Sequence, residues 1–176
     1  MGSYSRLTVH APAADDVRAF VSSGSRSGHS AEFPAQHVDG EWVVDVEVAT
    51  GDHYWFVVDG GPPLLDPHCR ALVHTPDGPR SVRRPPWARL PQGAPLADPP
   101  IVYELHVRGF GRTFTGCIEH LDHIASVGAN VVELMPVHPF DPADNYWGYM
   151  PLVWGAVHRP YASEPDRAAD ELAELV

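Results

Sequence analysis

The sequence contains no lysine: all 12 of its basic residues are arginines, against 23 acidic residues and a formal net charge of -11. Proteins that bind nucleic acid or anionic membranes present a basic surface. The charge balance therefore argues against both kinds of partner and leaves uncharged ligands such as sugars open. No stretch approaches the ~20 apolar residues of a membrane span, and the start of the chain lacks the pattern of a signal peptide. We therefore expect a cytoplasmic protein.

Cysteine is also scarce. Cys69 and Cys117 lie far apart, without the spacing of a metal site. His120 and His123 are three residues apart, but no carboxylate or thiolate pattern completes a site around them. We expect two reduced thiols, a solvated pair of histidines, no bound metal and no cofactor.

Residues 1–84 have the pattern of β-structure. Apolar residues alternate with polar ones around Leu7 and Val9, from Trp42 to Val48 and from Tyr54 to Val58. Turn-forming pairs such as Asp39-Gly40 separate these segments. Short alternating strands with such turns predict an antiparallel β-sandwich. Residues 85–100 contain six prolines and are predicted to form a linker between domains.

The periodicity changes from residue 101 onward. Ile101–Val107 and Asn130–Met135 are predicted strands, and Thr113–Ser126 is a predicted helix with Thr115 as its N-cap and Gly128 after its end. Strand, helix and strand in this order predict a right-handed βαβ unit with parallel strands.

A long loop from Pro136 to about Ala162 follows the second strand, and a helix is then predicted to begin at Ser163 as its N-cap. Two parallel strands cannot bury their own faces, and the last helix runs to Val176 without a stop signal. We therefore expect the natural fold to continue beyond Val176.

Three stretches in the C-terminal half carry a resemblance: IVYELHVRGF at 101–110, GANVVELMPV at 128–137 and NYWGYMPLVW at 145–154. In order and spacing they resemble glycoside hydrolase family 13, the α-amylase superfamily. HVRGF and NYWGYM most resemble its isoamylase and glycogen-debranching members. Residues 1–84 resemble the immunoglobulin-like early-set sandwich of these enzymes, often grouped with carbohydrate-binding module family 48.

The resemblance implies a fold in two parts. An immunoglobulin-like sandwich at 1–84 and a linker at 85–100 precede the first two β/α units of a (β/α)8 barrel at 101–176. It also implies an enzyme that hydrolyses α-1,6 bonds of glycogen-like α-glucan by a retaining, two-carboxylate mechanism. The family's catalytic acids lie on later strands, so no catalytic residue is assigned and the chain alone is expected to be inactive.

The residues that the resemblance assigns to substrate lie in the loop after the second strand. Tyr149 matches the family tyrosine that stacks under the sugar ring at the cleaved position, a role suited to an aromatic face. Tyr146 and Trp147 share its loop and are candidates to shape the cleft. Asn145 could bind substrate or turn the loop, and His138 is a further candidate contact.

Three alternatives stay open. Glu104 and Glu133 could form a substitute catalytic pair, although a structural role satisfied by an arginine or a backbone amide is favoured. The reaction could be trehalose release from maltooligosyl-trehalose or branch transfer. The chain could also be a non-catalytic α-glucan-binding protein, with the candidate platforms Trp42, Trp55 and Trp87, although the strand patterns around Trp42 and Trp55 favour core positions for these two.

Overall fold

The computed structural model describes residues 6–24, 30–87, 95, 98–143 and 145–176. The chain divides into two compact units, Met1–Pro85 and Pro86–Val176, here called the N-terminal unit and the C-terminal unit. Most of the predicted linker, at 88–94 and 96–97, lies outside the described residues. None of the helices in the described part of the chain is long and apolar enough to cross a bilayer.

The N-terminal unit contains eight described strands in two antiparallel sheets. They are β1 (Arg6–Val9), β2 (Val17–Ser22), β3 (Ser30–Pro34), β4 (Gln36–Val38), β5 (Glu41–Asp45), β6 (His53–Val58), β7 (Leu72–Thr75) and β8 (Gly78–Val82). One sheet has the order β1-β5-β4, and the other has the order β3-β2-β6-β8-β7. The alternation around Leu7, Trp42 and Tyr54 is confirmed by β1, β5 and β6.

The turn between β4 and β5 shows why the sequence forms a hairpin there. Asp39 and Gly40 have φ of 51° and 88°. Positive φ at both central residues is the geometry of a two-residue hairpin turn, which Asp-Gly adopts readily. The turn sets the register that pairs Val38 with Glu41.

Both sheets contribute buried apolar side chains at alternate positions. Leu7 and Val44 come from the three-stranded sheet, and Val17, Ala19 and Phe56 come from the five-stranded sheet. Because strand residues two apart share a face, each sheet has one face out of water and one in it. The alternation seen in the sequence corresponds to this division.

The C-terminal unit is built on two parallel strands, β9 (Val102–Leu105) and β10 (Val131–Leu134). Between them lie the short helices α1 (Val107–Phe110), α2 (Phe114–Ile118) and α3 (Leu121–Ser126). The strands pair in register, with Val102 opposite Val131 and Leu105 opposite Leu134. The predicted side-by-side, parallel arrangement is confirmed.

The predicted helix at Thr113–Ser126 is wrong in two details. The segment forms two short helices, α2 and α3, and the N-cap of α2 is Thr113, whose hydroxyl accepts a hydrogen bond from the Gly116 N–H at 3.1 Å. Thr115 instead lies within the first turn of α2. Gly128 follows α3 with φ of 96°, as expected for a glycine after a helix.

The last predicted helix begins later than expected. Ser163 is not its N-cap: a 3₁₀ turn at Pro165–Arg167 leads into α4 (Ala168–Leu175). Ser163 contacts the middle of this helix instead, because its N–H and hydroxyl both donate to the Glu171 carboxylate at 2.9 and 2.8 Å.

The core of the C-terminal unit lies between β9, the helices and the long loop. Its buried members include Leu105, Val107, Phe114, Cys117, Ile124, Phe140, Val157, Tyr161, Ala168 and Leu172. Tyr103, Leu105 and Leu134 lie on the core side of the two strands. The alternate residues Glu104 and Glu133 lie opposite one another in the register and are exposed.

Candidate functional site

The long loop is anchored beside the carboxyl ends of both parallel strands. His106 directly follows β9, and its ring centre lies 4.8 Å from that of Tyr146. One residue separates Pro136 from the end of β10. Gly148 packs so closely against Pro136 that a Cβ on Gly148 would lie only 2.9 Å from the Pro136 carbonyl oxygen. Loops at the carboxyl ends of parallel strands form the binding sites of α/β proteins. We call residues 145–154 the aromatic loop.

Asn145 shapes the turn of the aromatic loop. Its Oδ1 accepts a hydrogen bond from the Gly148 N–H, and its Nδ2 donates to the Tyr149 carbonyl, both at 2.8 Å. An amide side chain has two donor hydrogens and two acceptor positions, so one of each is left over. Gly148 has φ of 87°, which a residue with a Cβ rarely adopts.

The aromatic loop presents large apolar side chains to water. Six of them are at least a third exposed: Tyr146, Trp147, Tyr149, Met150, Leu152 and Trp154. Tyr149 is 54% exposed, and Trp154 is 72% exposed. Apolar surface of this kind marks an interaction site more often than a solvated loop. Sequence reasoning did not single out Trp154, although its place in the same motif was a usable signal.

His106 contacts the aromatic loop through the rings of Tyr146 and Trp147. The ring is 7% exposed, and its Nδ1 accepts a hydrogen bond from the Gly109 N–H at 3.1 Å. A neutral imidazole that accepts at Nδ1 carries its proton on Nε2, and Nε2 lies 2.9 Å from the Tyr161 hydroxyl. Burial lowers the pKa of His106, outweighing a hydrogen bond with the Tyr146 backbone. His106 is therefore a buried histidine with a hydrogen-bond partner at each ring nitrogen.

A group of buried aromatic rings surrounds Tyr161, the hydrogen-bond partner of His106. Tyr161 is fully buried, and its ring meets those of Phe114, Phe140 and His158 at centroid distances of 6.1, 6.2 and 4.5 Å. Phe140 and His158 are stacked at 4.3 Å. Burial raises the pKa of Tyr161 to about 12, so its hydroxyl keeps its proton near neutral pH. These buried rings pack around the hydrogen-bond partner of His106, and His106 in turn contacts the exposed Tyr146 and Trp147.

Glu171 fixes the chain segment that leads away from Tyr161. Its carboxylate is 1% exposed and accepts three hydrogen bonds, two from Ser163 and one from the Glu164 N–H at 2.8 Å. Burial alone would raise the pKa of Glu171, but these hydrogen bonds outweigh it and the pKa is lowered. The ionised carboxylate therefore holds the segment after Tyr161 in place.

His138 stands at the edge of the loop. Its Nδ1 lies 3.2 Å from the Ala156 carbonyl oxygen, so Nδ1 carries the proton and Nε2 is left as an acceptor. Its ring packs edge-on against Trp154 at 5.3 Å. His138 and Trp154 form a second pair of rings on this loop, beside the pair formed by Tyr146 and Trp147 at 5.4 Å.

The two strand carboxylates do not form the predicted structural contacts. Neither Glu104 nor Glu133 has a hydrogen bond or ion pair with any residue in the described ranges, so the expected arginine or amide partner is absent. Their Cα positions are paired neighbours on parallel strands, and both side chains are exposed on one face. Two carboxylates side by side on one sheet face do not oppose each other across a bond.

The tryptophans proposed as sugar platforms in the N-terminal unit have other contacts. Trp42 donates from Nε1 to the Ala11 carbonyl at 3.0 Å. Trp55 stacks on Phe20 at 5.5 Å, and the Arg80 guanidinium carbon lies 4.5 Å from the centre of its ring. Both are half-buried rather than core residues. Trp87, in the C-terminal unit, packs against the buried core there.

Comparison with known sequences finds relatives over much of the chain, although no family model matches it. The malto-oligosyltrehalose trehalohydrolase of Mycobacterium tuberculosis is 36% identical over 140 residues, 73% of this chain and 23% of the relative. That of Arthrobacter ramosus is 32% identical over 89% of this chain and 28% of the relative. The glycogen debranching enzyme of Klebsiella pneumoniae is 37% identical over 43% of this chain and 15% of the relative. The chain thus spans about a quarter of the trehalohydrolases that it matches.

Solved structures share the fold. The pullulanase of group B Streptococcus superposes with a TM-score of 0.78 at 21% identity, covering 98% of this chain and 30% of that chain. A structure of the same enzyme holds maltotetraose. A putative α-amylase from Salmonella typhimurium superposes with a TM-score of 0.70 at 27% identity over 97% of this chain and 29% of that chain. With the three motifs at 101–110, 128–137 and 145–154, the sequence relatives described above show that the chain belongs to glycoside hydrolase family 13, the α-amylase superfamily.

Proposed function

We propose that this chain supplies the first part of an enzyme that hydrolyses α-1,6 bonds in glycogen-like α-glucan, and that the aromatic loop forms one wall of its substrate cleft. The observation that carries the proposal is the exposed Tyr149 on a loop anchored at the carboxyl ends of β9 and β10. An aromatic face pairs well with the apolar C–H face of a glucose ring, and its π electrons favour an oxocarbenium-like transition state.

The other predicted site residues take different parts in this proposal. Tyr146 and Trp147 extend the apolar wall, since each is half exposed and rests on His106. Asn145 is mainly a turn residue whose remaining donor and acceptor are open to a sugar hydroxyl. His138 offers Nε2 as an acceptor for such a hydroxyl.

The proposal includes a finer description of the fold. The two antiparallel sheets of residues 1–84 are proposed to form an immunoglobulin-like sandwich, joined by a linker at 85–100 to the first two β/α units of a (β/α)8 barrel at 101–176. The bare face of β9 and β10 supports this, because parallel strands are almost always covered on both faces. In a barrel, side chains from the strands across the interior would cover the face that carries Glu104 and Glu133.

A second candidate function is the release of trehalose from maltooligosyl-trehalose. It is favoured by the extent of the sequence match, which reaches 89% of this chain for a trehalohydrolase and 43% for a debranching enzyme. The residues NY before WGY, at 145–149, favour the debranching reaction instead.

The test is a titration of the 176-residue chain with an α-1,6-branched maltooligosaccharide, followed by the fluorescence of the exposed tryptophans. Because the chain offers one wall of a cleft, we expect weak but saturable binding, with a Kd on the order of 1–10 mM. The variant Tyr149→Ala should bind several-fold more weakly, while Tyr103→Phe serves as a control away from the loop. Tighter binding of maltooligosyl-trehalose would favour the second candidate, and no difference between Tyr149→Ala and the native chain would overturn the assigned wall.

A further inference from the structure

Four arginines are among the residues that line a cavity in the N-terminal unit. The cavity has a volume of about 230 Å³, and the four are Arg6, Arg70, Arg83 and Arg84. These are four of the 12 arginines in a chain with a net charge of -11. A general attraction for anions does not explain this cluster, because the protein as a whole repels them.

Carboxylates compensate the cluster only in part. Arg6 pairs with Asp45 at 2.8 Å near the surface. Asp66 is the one carboxylate among the lining residues, and its oxygens already accept hydrogen bonds from the Tyr54 hydroxyl at 2.7 Å and the His68 N–H at 2.8 Å. Arg70 and Arg83 have no ion pair with any residue in the described ranges. Arg70 and Arg83 together outnumber Asp66, so the lining keeps an excess of positive charge.

Tyr54 and Cys69, two other residues of the cavity wall, stay neutral. Burial, together with the charge of Asp66, raises the pKa of the Tyr54 hydroxyl far above its usual range. Burial raises the pKa of the Cys69 thiol to about 11. Neither group adds negative charge near neutral pH, so only Asp66 opposes an incoming anion.

We propose that this cavity is a binding site for a phosphate monoester, either inorganic phosphate or a phosphorylated monosaccharide. A guanidinium group carries a planar fork of N–H donors that matches the oxygens of a tetrahedral phosphate, and Arg70 and Arg83 both line the cavity. The volume lies below the range of about 300–1,000 Å³ typical of drug-sized ligands, so the ligand is small.

This site differs from the aromatic loop in position and in chemistry. Its lining residues all belong to the N-terminal unit, and they offer charge rather than aromatic faces. It does not depend on the proposed hydrolase function, because an anion would bind here whatever reaction the aromatic loop serves.

The test is calorimetric titration of the 176-residue chain with inorganic phosphate and with glucose 6-phosphate, and with glucose as the neutral probe. We expect saturable binding of both phosphates in the millimolar range or tighter, weakening as NaCl is added, and no binding of glucose. Stronger binding of glucose 6-phosphate would identify a sugar phosphate as the ligand, and equal binding would identify the phosphate group alone.

The variants are Arg83→Gln, at a half-buried lining residue, and Arg70→Gln, at an exposed lining residue. Each should weaken phosphate binding by about tenfold. The matched controls Arg18→Gln and Arg167→Gln change exposed, ion-paired arginines outside the cavity and should leave the affinity unchanged. Absence of saturable phosphate binding, or equal weakening by the control variants, would overturn the proposal.

Discussion

The ring Nε2 of His106 and the hydroxyl oxygen of Tyr161 lie 2.9 Å apart in the core of the C-terminal unit, although 55 residues separate them in sequence. His106 directly follows β9, and Tyr161 lies at the end of the long loop that follows β10. The contact therefore joins the end of this loop to the carboxyl end of β9. The exposed Tyr146 and Trp147 rest on the same histidine ring. The aromatic loop is therefore positioned by a buried polar contact as well as by apolar packing.

Removing the Tyr161 hydroxyl tests this contact. We expect Tyr161→Phe to lower the free energy of unfolding by about 1–3 kcal/mol, because the buried Nε2–H of His106 loses its partner. The measurement is denaturant unfolding followed by tryptophan fluorescence. Tyr149→Phe, which removes an exposed hydroxyl, is the control and should change stability by less than about 0.5 kcal/mol. Equal effects of the two changes would mean that the His106 contact contributes nothing.

The protonation of His106 makes stability depend on pH. Because burial lowers its pKa in the folded chain below the ordinary value of 6.5, the unfolded chain binds the proton more readily. This contribution to stability is complete above pH 6.5 and declines as the pH falls below it. Unfolding curves between pH 7.5 and 5 measure it as a difference between the native chain and His106→Gln. A native chain that grew more stable relative to the variant as the pH fell would contradict the assigned direction.

Glu171 should behave as a buried carboxylate that is needed in its charged form. Glu171→Gln replaces an acceptor oxygen by an amide group facing N–H donors, so we expect a loss of about 2–3 kcal/mol in the free energy of unfolding. The exposed Glu174→Gln on the same helix is the control. Because the pKa of Glu171 is lowered from 4.5, the difference between native chain and variant should shrink as the pH falls below 4.5. A difference that does not depend on pH would contradict the charged state.

Gly148 is required both for its backbone angle and for the space beside Pro136. Gly148→Ala should disturb the aromatic loop, since the new Cβ would meet the Pro136 carbonyl oxygen at 2.9 Å in addition to the strain of φ 87°. The control is Gly128→Ala, where φ is 96° but nothing lies within 4 Å of the Cβ. We expect a cost of about 1–2 kcal/mol for the control and a larger cost for Gly148→Ala. Equal costs, measured by thermal unfolding, would mean that the close contact with the Pro136 carbonyl oxygen adds nothing to the cost of Gly148→Ala.

The 176-residue chain should release no reducing sugar from glycogen or amylopectin. Its strand carboxylates, Glu104 and Glu133, are neighbours on one sheet face and are not opposed across a substrate bond. A reducing-sugar assay measures this directly. Reproducible turnover that disappears in Glu104→Gln or Glu133→Gln would show that the pair is catalytic after all.

Local sequence signals predicted some boundaries well and others poorly. The Asp39-Gly40 turn and the glycine after α3 were found, because each depends on backbone angles that few residues adopt. The N-caps at Thr115 and Ser163 were wrong. Thr113 and Thr115 carry the same capping hydroxyl, so the sequence does not distinguish them. Ser163 donates a hydrogen bond to the Glu171 carboxylate eight residues later, a contact that no pattern at the start of a helix reveals.

The site was predicted in part. The motif at 145–154 located the residues of the aromatic loop, but their separate roles are known only from the contacts in the structure. Asn145 stabilises the turn of the loop, and Tyr149 is exposed. Trp154 lies in the same motif and was overlooked, because its exposure is known only from the folded structure. The arginine cavity could not be predicted, since Arg6 belongs to one sheet while Arg70 and Arg83 flank strands of the other, and only the fold brings them to one cavity.

The sequence by itself determined the strand and turn pattern of the N-terminal unit, the parallel pair β9 and β10, and the family, because two-residue alternation, turn chemistry and short motifs are all local. Only the tertiary structure decided which buried polar groups meet, such as His106 with Tyr161 and Glu171 with Ser163, and where positive charge collects. Such contacts depend on distances between residues far apart in the chain, and the folded backbone sets those distances.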